Sequence, residues 1–519
     1  MKRYFGPATW LFLGLWFVLM VGGRSRFFQD PGTFWHVATG NRILSDGFID
    51  ADPFTFTFPG TPWVPYQWLG ECLMAILDHV GGFDLLLVAT VTVLAAVFTG
   101  LGIRLLRSGL HPSVVAVLVA CAVAASSGHF HVRPHVATMA GMAVLMIYLT
   151  DFENGRLPLR RLLWLIPIFW LWANTHGGAL GGIATIPIAV VGWTAKWLIG
   201  GDSPVTSWRD VGRLVLIWFG CVVACFAGPY LHHLPEIWLL IYRLKSLPYI
   251  IKEHSALNPS EWAGKSVIGF AVLFCGLLLT VPIRQWRVSW LLAVVWLLLA
   301  FTRVRHAPLF AIAGLVAIAD FFPLSRIATA LARRKSDLYD PTAHVAEPPT
   351  PRESLAPFAV PAALVLLAAL LQVVGAPVPV LGRGWARLDP AIWPVELLPD
   401  LKEHEHDRPG GTRIFCEYSY GGFLIYYTPG YRVFIDDRCE VFGDDFLWKF
   451  VLTREGLASG AYDHPAEPFA EWQSQYGAFD LAMVESGGPF DVALSQLPQA
   501  WEEVRRTETA TLYRKRGGP

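Results

Sequence analysis

The chain has 519 residues, of which 54% are apolar and only 16% charged, against the quarter or so of charged residues in an ordinary soluble protein. With a mean hydropathy of +0.43 and 22 tryptophans, it reads as a polytopic membrane protein. Its zero net charge leaves no global basic field to suggest nucleic acid, which is not expected as a partner.

A bilayer crossing needs roughly 17–25 apolar residues, fewer where flanking side chains snorkel. The predicted spans are 8–23, 84–103, 112–128, 136–150, 162–174, 177–198, 212–228, 267–283, 288–302, 305–323 and 357–376, about eleven in all. Lys2 and Arg3 precede the first run, but no A-x-A-like site follows it, so it reads as an uncleaved span rather than a signal peptide. The segment 67–80 is too short to span and carries Glu71 and Asp78, which predicts a helix lying in the interface. With the N-terminus inside, the inner loops hold Arg104 and Arg107, Arg156, Arg160 and Arg161, Lys196, Arg209 and Arg213, then Arg284 and Arg287. Arg24, Arg26, Arg42, Arg243, Lys245 and Lys252 run against this bias, yet the inner loops are the consistently basic ones.

The expected organisation is therefore a membrane module over 1–323 with a first outer loop at 24–83, followed by a Pro- and Arg-rich cytoplasmic linker at 324–356. A last span at 357–376 then leads into an extracytoplasmic α/β domain at 377–519. In that domain RIFCEY (413–418), FLIYY (423–427) and YRVFIDD (431–437) read as short strands separated by turn residues. A helix is expected near 443–456, with further strands at FDLAMVE (479–485) and TATLYRK (509–515). Cys121, Cys221, Cys225 and Cys275 read as small hydrophobes. Cys416 and Cys439 are two free thiols or, in an exported domain, one disulfide.

On this topology the unusual polar clusters fall on the outer side. They are QDPGTFWH (29–36), DADPFTF (50–56), HFHVRPH (129–135), WANTHGG (172–178), ALNPSEW (256–262) and RVRHAP (303–308). Polar groups at membrane depth are costly unless they line a wet cavity, so such clustering marks a functional site. Each also has a plainer reading. Asp30 before Pro31 and Gly32, like Asp52 before Pro53, can be a turn or cap residue. Arg133 can be a phosphate fork or a snorkelling anchor, and Arg303, Arg305 and His306 a phosphate clamp or helix-end anchors. The glycines after His176 can simply permit close helix packing. His129, His131 and His135 match no fixed zinc spacing. No Walker, GxSxG, GxGxxG or HExxH motif is present.

The order of these features resembles the GT-C superfamily of membrane glycosyltransferases, which includes oligosaccharyltransferases, protein O-mannosyltransferases and the lipid A aminoarabinose transferase. More closely, the chain is similar to a family of bacterial multi-spanning proteins within it. The matching residues are 30-DPGTFWHVATG-40, 52-DPFTFT-57, 133-RPH-135, 172-WANTHGG-178, 415-FCEYSYGGFL-424 and 433-VFIDDR-438, spread over most of the chain. Together they are specific for the family, not for one reaction. The resemblance implies a GT-C-like fold in the bacterial cytoplasmic membrane. It also implies transfer of a sugar from a polyprenyl-phosphate-linked donor to a glycan, lipid or protein acceptor at the outer face. It suggests Asp30, His36 and Glu261 as catalytic candidates, and Arg133, His135, His176, Arg305, His306 and Asp52 as substrate-binding candidates. One departure stands out: Gly32 replaces the second acid of a DxD-like pair, which weakens a metal–diphosphate role. A divalent cation is the one cofactor left open. Readings from other classes are a transporter or flippase of lipid-linked glycans, and a membrane scaffold without catalysis. The clustering of polar groups at one face favours a one-sided reaction site over transport.

Overall fold

The computed structural model describes residues 4–230, 233–343, 356–405 and 411–517. The expected linker 324–356 lies partly outside them, Arg352 included.

All of the expected spans are helical. They are α1 (Pro7–Arg26), the second part of α3 (Trp68–Arg107), α4 (Pro112–Ser126), α5 (Val136–Glu153), α6 (Leu165–Thr175), α7 (Ala179–Leu198) and α8 (Trp208–Cys225). Beyond α9 (His233–Arg243) and α10 (Leu247–Ile250) come α11 (Trp262–Leu279), α12 (Val288–Thr302) and α13 (Ala307–Phe321). After α14 (Arg326–Arg333), α15 (Ala359–Val373) is the last. Among the described residues eight helices are long and apolar enough to cross a membrane. α6 and α12 fall short in length, and α8 carries Arg209, Asp210 and Arg213. The chain is a polytopic α-helical membrane protein with a small C-terminal α/β domain.

The first loop contains α2 (Gly32–Asp46), which packs against the start of α3. α3 breaks at Gly82, whose φ of 63° and ψ of −158° no L side chain adopts readily. The break separates the expected interfacial segment from the span that follows. α13 is the central helix, buried along its whole length. Its Ala and Gly residues let α4, α5 and α12 approach closely. Near its far end the buried Asp320 accepts hydrogen bonds from Arg156, Arg287 and the Trp290 indole, each at 2.8 Å, which ties three elements together. At the same end the linker pairs with the turn after α3, where Asp340 N–H donates to Gly109 O at 2.8 Å.

The C-terminal domain has a five-stranded sheet of β1 (Thr412–Cys416), β2 (Tyr431–Val433), β3 (Leu481–Glu485), β4 (Trp501–Arg506) and β5 (Ala510–Lys515), in the order β2-β1-β3-β5-β4. β1 runs parallel to β2 and β3, whereas β5 runs antiparallel to β3 and β4. Its helices are α16 (Leu398–Glu403), α17 (Tyr418–Tyr427), α18 (Cys439–Ser459), α19 (Glu467–Tyr476) and α20 (Pro489–Ser495). The core is aromatic, with Phe415 and Trp472 in contact with each other and each with Phe434 and Phe490.

One expectation fails here, and one open alternative is decided. FLIYY is not a strand but the second half of α17, whose apolar run is buried on nearly every side and so shows no period. Cys416 and Cys439 are both buried free thiols. The strand β4 was not anticipated.

The first loop fastens the domain to the membrane module. Residues 54–56 meet β2 in a single parallel bridge between Thr55 and Val433, with Val433 N–H donating to Phe54 O (3.0 Å) and Phe56 N–H to Val433 O (3.2 Å). Gly422 of α17 lies where a Cβ would come within 2.4 Å of Pro31 O, so only glycine permits this approach. The Trp393 indole donates to Phe28 O at 2.8 Å, and the Tyr426 hydroxyl to Asp78 at 2.9 Å.

Candidate functional site

Between the domain and the nearby helix ends lies a cavity of about 290 Å³. Arg133, His135, His176, Arg305 and His306, drawn from three separate motifs, all line it. Each is placed by a break in helix geometry. Arg133 and His135 sit in the tight turn before α5, His176 in the turn between α6 and α7, and Arg305 and His306 in the single 3₁₀ turn that opens α13.

Several of these side chains are held by their own hydrogen bonds. His176 Nδ1 accepts from Gly178 N–H at 3.0 Å, so the neutral ring carries its proton on Nε2. The Thr138 hydroxyl lies 2.7 Å from the same nitrogen and itself accepts from the Trp172 indole at 2.8 Å. A side chain at Gly178 would strike Thr138, so close packing and function share that glycine. His135 Nε2–H donates to His129 O at 2.7 Å, and His306 Nδ1–H donates to Leu299 O at 3.1 Å. Burial, reinforced by Arg133, lowers the pKa of His135 to about 3, so this imidazole stays neutral.

One acid that sequence reasoning missed sits among the cations. Glu253 lies 3.4 Å from His129, 3.7 Å from both His254 and Arg305, and 4.0 Å from Arg133. Burial opposes its charge, but Arg305, His129 and Arg133 overcome that cost and hold its pKa well below the usual carboxylate range. His254 also lines the cavity, with its pKa lowered to about 3 by burial and by Arg305. No motif marks either residue, because the loop after α10 has neither periodicity nor turn signature.

The remaining candidates lie off the cavity wall. Asp30 stands directly behind Arg133. Arg133 Nη1 donates to both its oxygens (3.0 and 2.9 Å), and Asp30 Oδ1 accepts from Gly32 N–H at 2.7 Å, starting α2. Gly32 has a physical reason here: a Cβ would lie 2.7 Å from Arg133 Nε and 2.7 Å from Asp30 Oδ1. At this position the chain has space for a guanidinium. The surroundings of Asp30 therefore do not fit a divalent cation, and among the described residues no group of three His, Cys, Asp or Glu side chains is arranged to hold one.

His36 is fully buried and pairs with Glu71 at 2.9 Å, joining α2 to α3. Glu261 is half-exposed at the start of α11 and pairs with Lys252 at 2.9 Å. Asp52 is buried within a triad in which Arg438 donates to Asp52 at 2.7 Å and to Asp436 at 2.6 Å. Burial raises the pKa of Asp52, but Arg438 and Thr55 bring the net shift below the ordinary value. Arg438 also stacks over Phe54 and Trp63, with its guanidinium carbon 4.9 and 4.5 Å from the ring centres.

The domain contributes Asp437, Arg438, Cys439 and Glu440 to the cavity wall. The site is thus built from both ends of the chain.

No protein-family model matches the chain, and none of the curated proteins does. Among solved structures, the chain is similar to the apo oligosaccharyltransferase of Archaeoglobus fulgidus, at 9% identity and a TM-score of 0.49, over 92% of this chain and 68% of that one. It is also similar to ArnT from Cupriavidus metallidurans in the apo state, at 14% identity and a TM-score of 0.48, over 97% of each chain. The same ArnT bound to undecaprenyl phosphate gives 14% identity and a TM-score of 0.47, over 98% of each chain.

Proposed function

We propose that the chain is a membrane glycosyltransferase that moves a sugar from a polyprenyl-phosphate-linked donor to an acceptor hydroxyl in this cavity. The observation that carries the reading is the convergence of Arg133, His135, His176, Arg305 and His306, from three distant motifs, on one small cavity. Two guanidiniums and the Nε2–H of His176 offer fixed donors to a phosphate without reorganisation, and they would stabilise the charge that develops as the phosphate leaves. The volume, at the lower end of the roughly 300–1,000 Å³ of small-molecule pockets, suits a sugar phosphate head group rather than a long glycan. Asp30 orients Arg133, and Glu253 holds the cationic cluster in place until a phosphate displaces it.

A transport path is disfavoured by α13, which is apolar and buried throughout the span between His306 and Asp320. Binding of undecaprenyl phosphate to the purified chain in nanodiscs tests the reading. Arg305→Ala should weaken it by ~10–100-fold, the loss of one or two charge-assisted hydrogen bonds. A wild-type chain that binds no undecaprenyl phosphate would refute it.

A further inference from the structure

The run 433-VFIDDR-438 carries two neighbouring acids that the structure sends to different places. Asp436 is buried and spends both oxygens on Arg438. Asp437 turns to the cavity wall, half-buried, and its Oδ1 is shielded from solvent with no donor in full hydrogen-bond contact, only the Trp35 indole approaching the carboxylate. The other acids near the cavity are engaged. Glu253 lies among four cationic or imidazole side chains, Glu440 accepts from the Trp63 indole at 3.2 Å, and Asp30 gives both oxygens to Arg133. A buried carboxyl oxygen without a donor is costly to maintain in a folded protein unless it has a role.

We infer that Asp437, supplied by the C-terminal domain, is the catalytic base of the transfer. This rests on reading the cavity as the site of a lipid-linked sugar donor. The acceptor oxygen attacks the anomeric carbon, and the bond from that carbon to the phosphate oxygen breaks. The bonding pair leaves with the polyprenyl phosphate toward Arg133 and Arg305. The acceptor proton passes to the Asp437 carboxylate and from there to water. A single displacement of this kind inverts the anomeric carbon.

The electrostatics agree with that geometry. Burial, joined by the negative charge of Asp30 and partly opposed by Arg133, pushes the Asp437 pKa up to about 8. Asp436 adds to the rise and the Trp35 indole opposes it, while Arg438, Tyr418 and the Cys439 thiol lie nearby. A base poised near the working pH balances availability against proton affinity. Asp30 thereby acts as a positioning residue that tunes Asp437 through charge.

The test uses the full chain in nanodiscs. Release of undecaprenyl phosphate is followed from undecaprenyl-phosphoryl-glucose, -mannose and -arabinose in turn, with water supplying the acceptor hydroxyl, over a pH range of roughly 6–9. Asp437→Asn should lower kcat by ~10²–10⁴-fold with undecaprenyl phosphate binding unchanged, and Asp437→Glu should recover part of the rate. The wild-type rate should rise with pH through the Asp437 pKa. Asp30→Asn should move that inflection to lower pH, because it removes a negative neighbour and frees Arg133. Wild-type kcat in Asp437→Asn overturns the assignment alone, as does a variant that loses donor binding together with rate. Absence of undecaprenyl phosphate binding in the wild type overturns the functional reading itself, and binding without turnover of any donor counts against both.

Discussion

Gly32→Ala isolates the contact between the first loop and Arg133. Gly32 does not have a positive φ, and it occupies the first turn of α2. On backbone grounds alone alanine should therefore stabilise the helix by up to about 1 kcal/mol. The new methyl would stand 2.7 Å from Arg133 Nε and 2.8 Å from its guanidinium carbon, where carbon contacts normally settle at about 3.5–4.0 Å. The guanidinium must retreat by on the order of 1 Å, which breaks the pair of bonds from Nη1 to Asp30. With both side chains less than one-fifth exposed (17% and 16%), that pair is worth about 1.5–3 kcal/mol. The sign thus reverses: a net loss of roughly 1–2 kcal/mol, with ~10-fold weaker binding of undecaprenyl phosphate. Thermal unfolding in detergent and a lipid titration in nanodiscs measure the two quantities. A Gly32→Ala protein that melts higher than wild type and binds with unchanged affinity would refute the steric argument.

Arg438→Met should destabilise the protein by about 3–5 kcal/mol, because two buried carboxylates, Asp52 and Asp436, lose their shared cation; chemical denaturation would show it. Glu253→Gln should strengthen undecaprenyl phosphate binding several-fold, since it removes an anion that competes for Arg133 and Arg305; a titration at fixed salt measures this. Glu253 is held below its unfolded pKa, so its stabilisation is present above the unfolded value near pH 4 and fades as pH falls through the folded one. Asp437 has the opposite sign. Its raised pKa favours the protonated form in the folded protein, so the contribution to stability is present below the unfolded value near pH 4 and is lost as pH rises toward about 8. Melting curves of wild type and Asp437→Asn across that window should diverge accordingly, and parallel curves would contradict it.

Much of the site could be read from residue types in order along the chain. Arginine and histidine at helix breaks point to a lined cavity whatever the detailed fold, and five such residues do meet there. What could not be read was which acid faces inward. Asp436 and Asp437 are indistinguishable in sequence, and only the hold of Arg438 on the first decides that the second is available. Glu253 lies in a loop whose position depends on tertiary contacts alone. The glycines of 418-YSYGGFL-424 suggested a turn, yet Gly421 and Gly422 sit inside α17 to admit the backbone of Ile435 and Pro31. Close approach and turning ask for the same residue, so composition does not separate them. The edge strand β4 was hidden for another reason: WEEVRR is mostly charged, as an exposed edge is expected to be.

The bridge that residues 54–56 make beside β2, with the Thr57 hydroxyl donating to Phe434 O, closes a loop of more than three hundred and seventy residues. Such a pairing carries a large entropic debt before it returns any stability. During synthesis the first loop emerges early with Phe54, Phe56 and Trp63 uncovered, and it waits for the last fifth of the protein to arrive. The cavity wall that the domain supplies is therefore completed only once that last segment has been made. A misthreaded helix between the two ends would keep Asp437 and Arg438 away from Arg133, His176 and Arg305 and leave the cavity unformed.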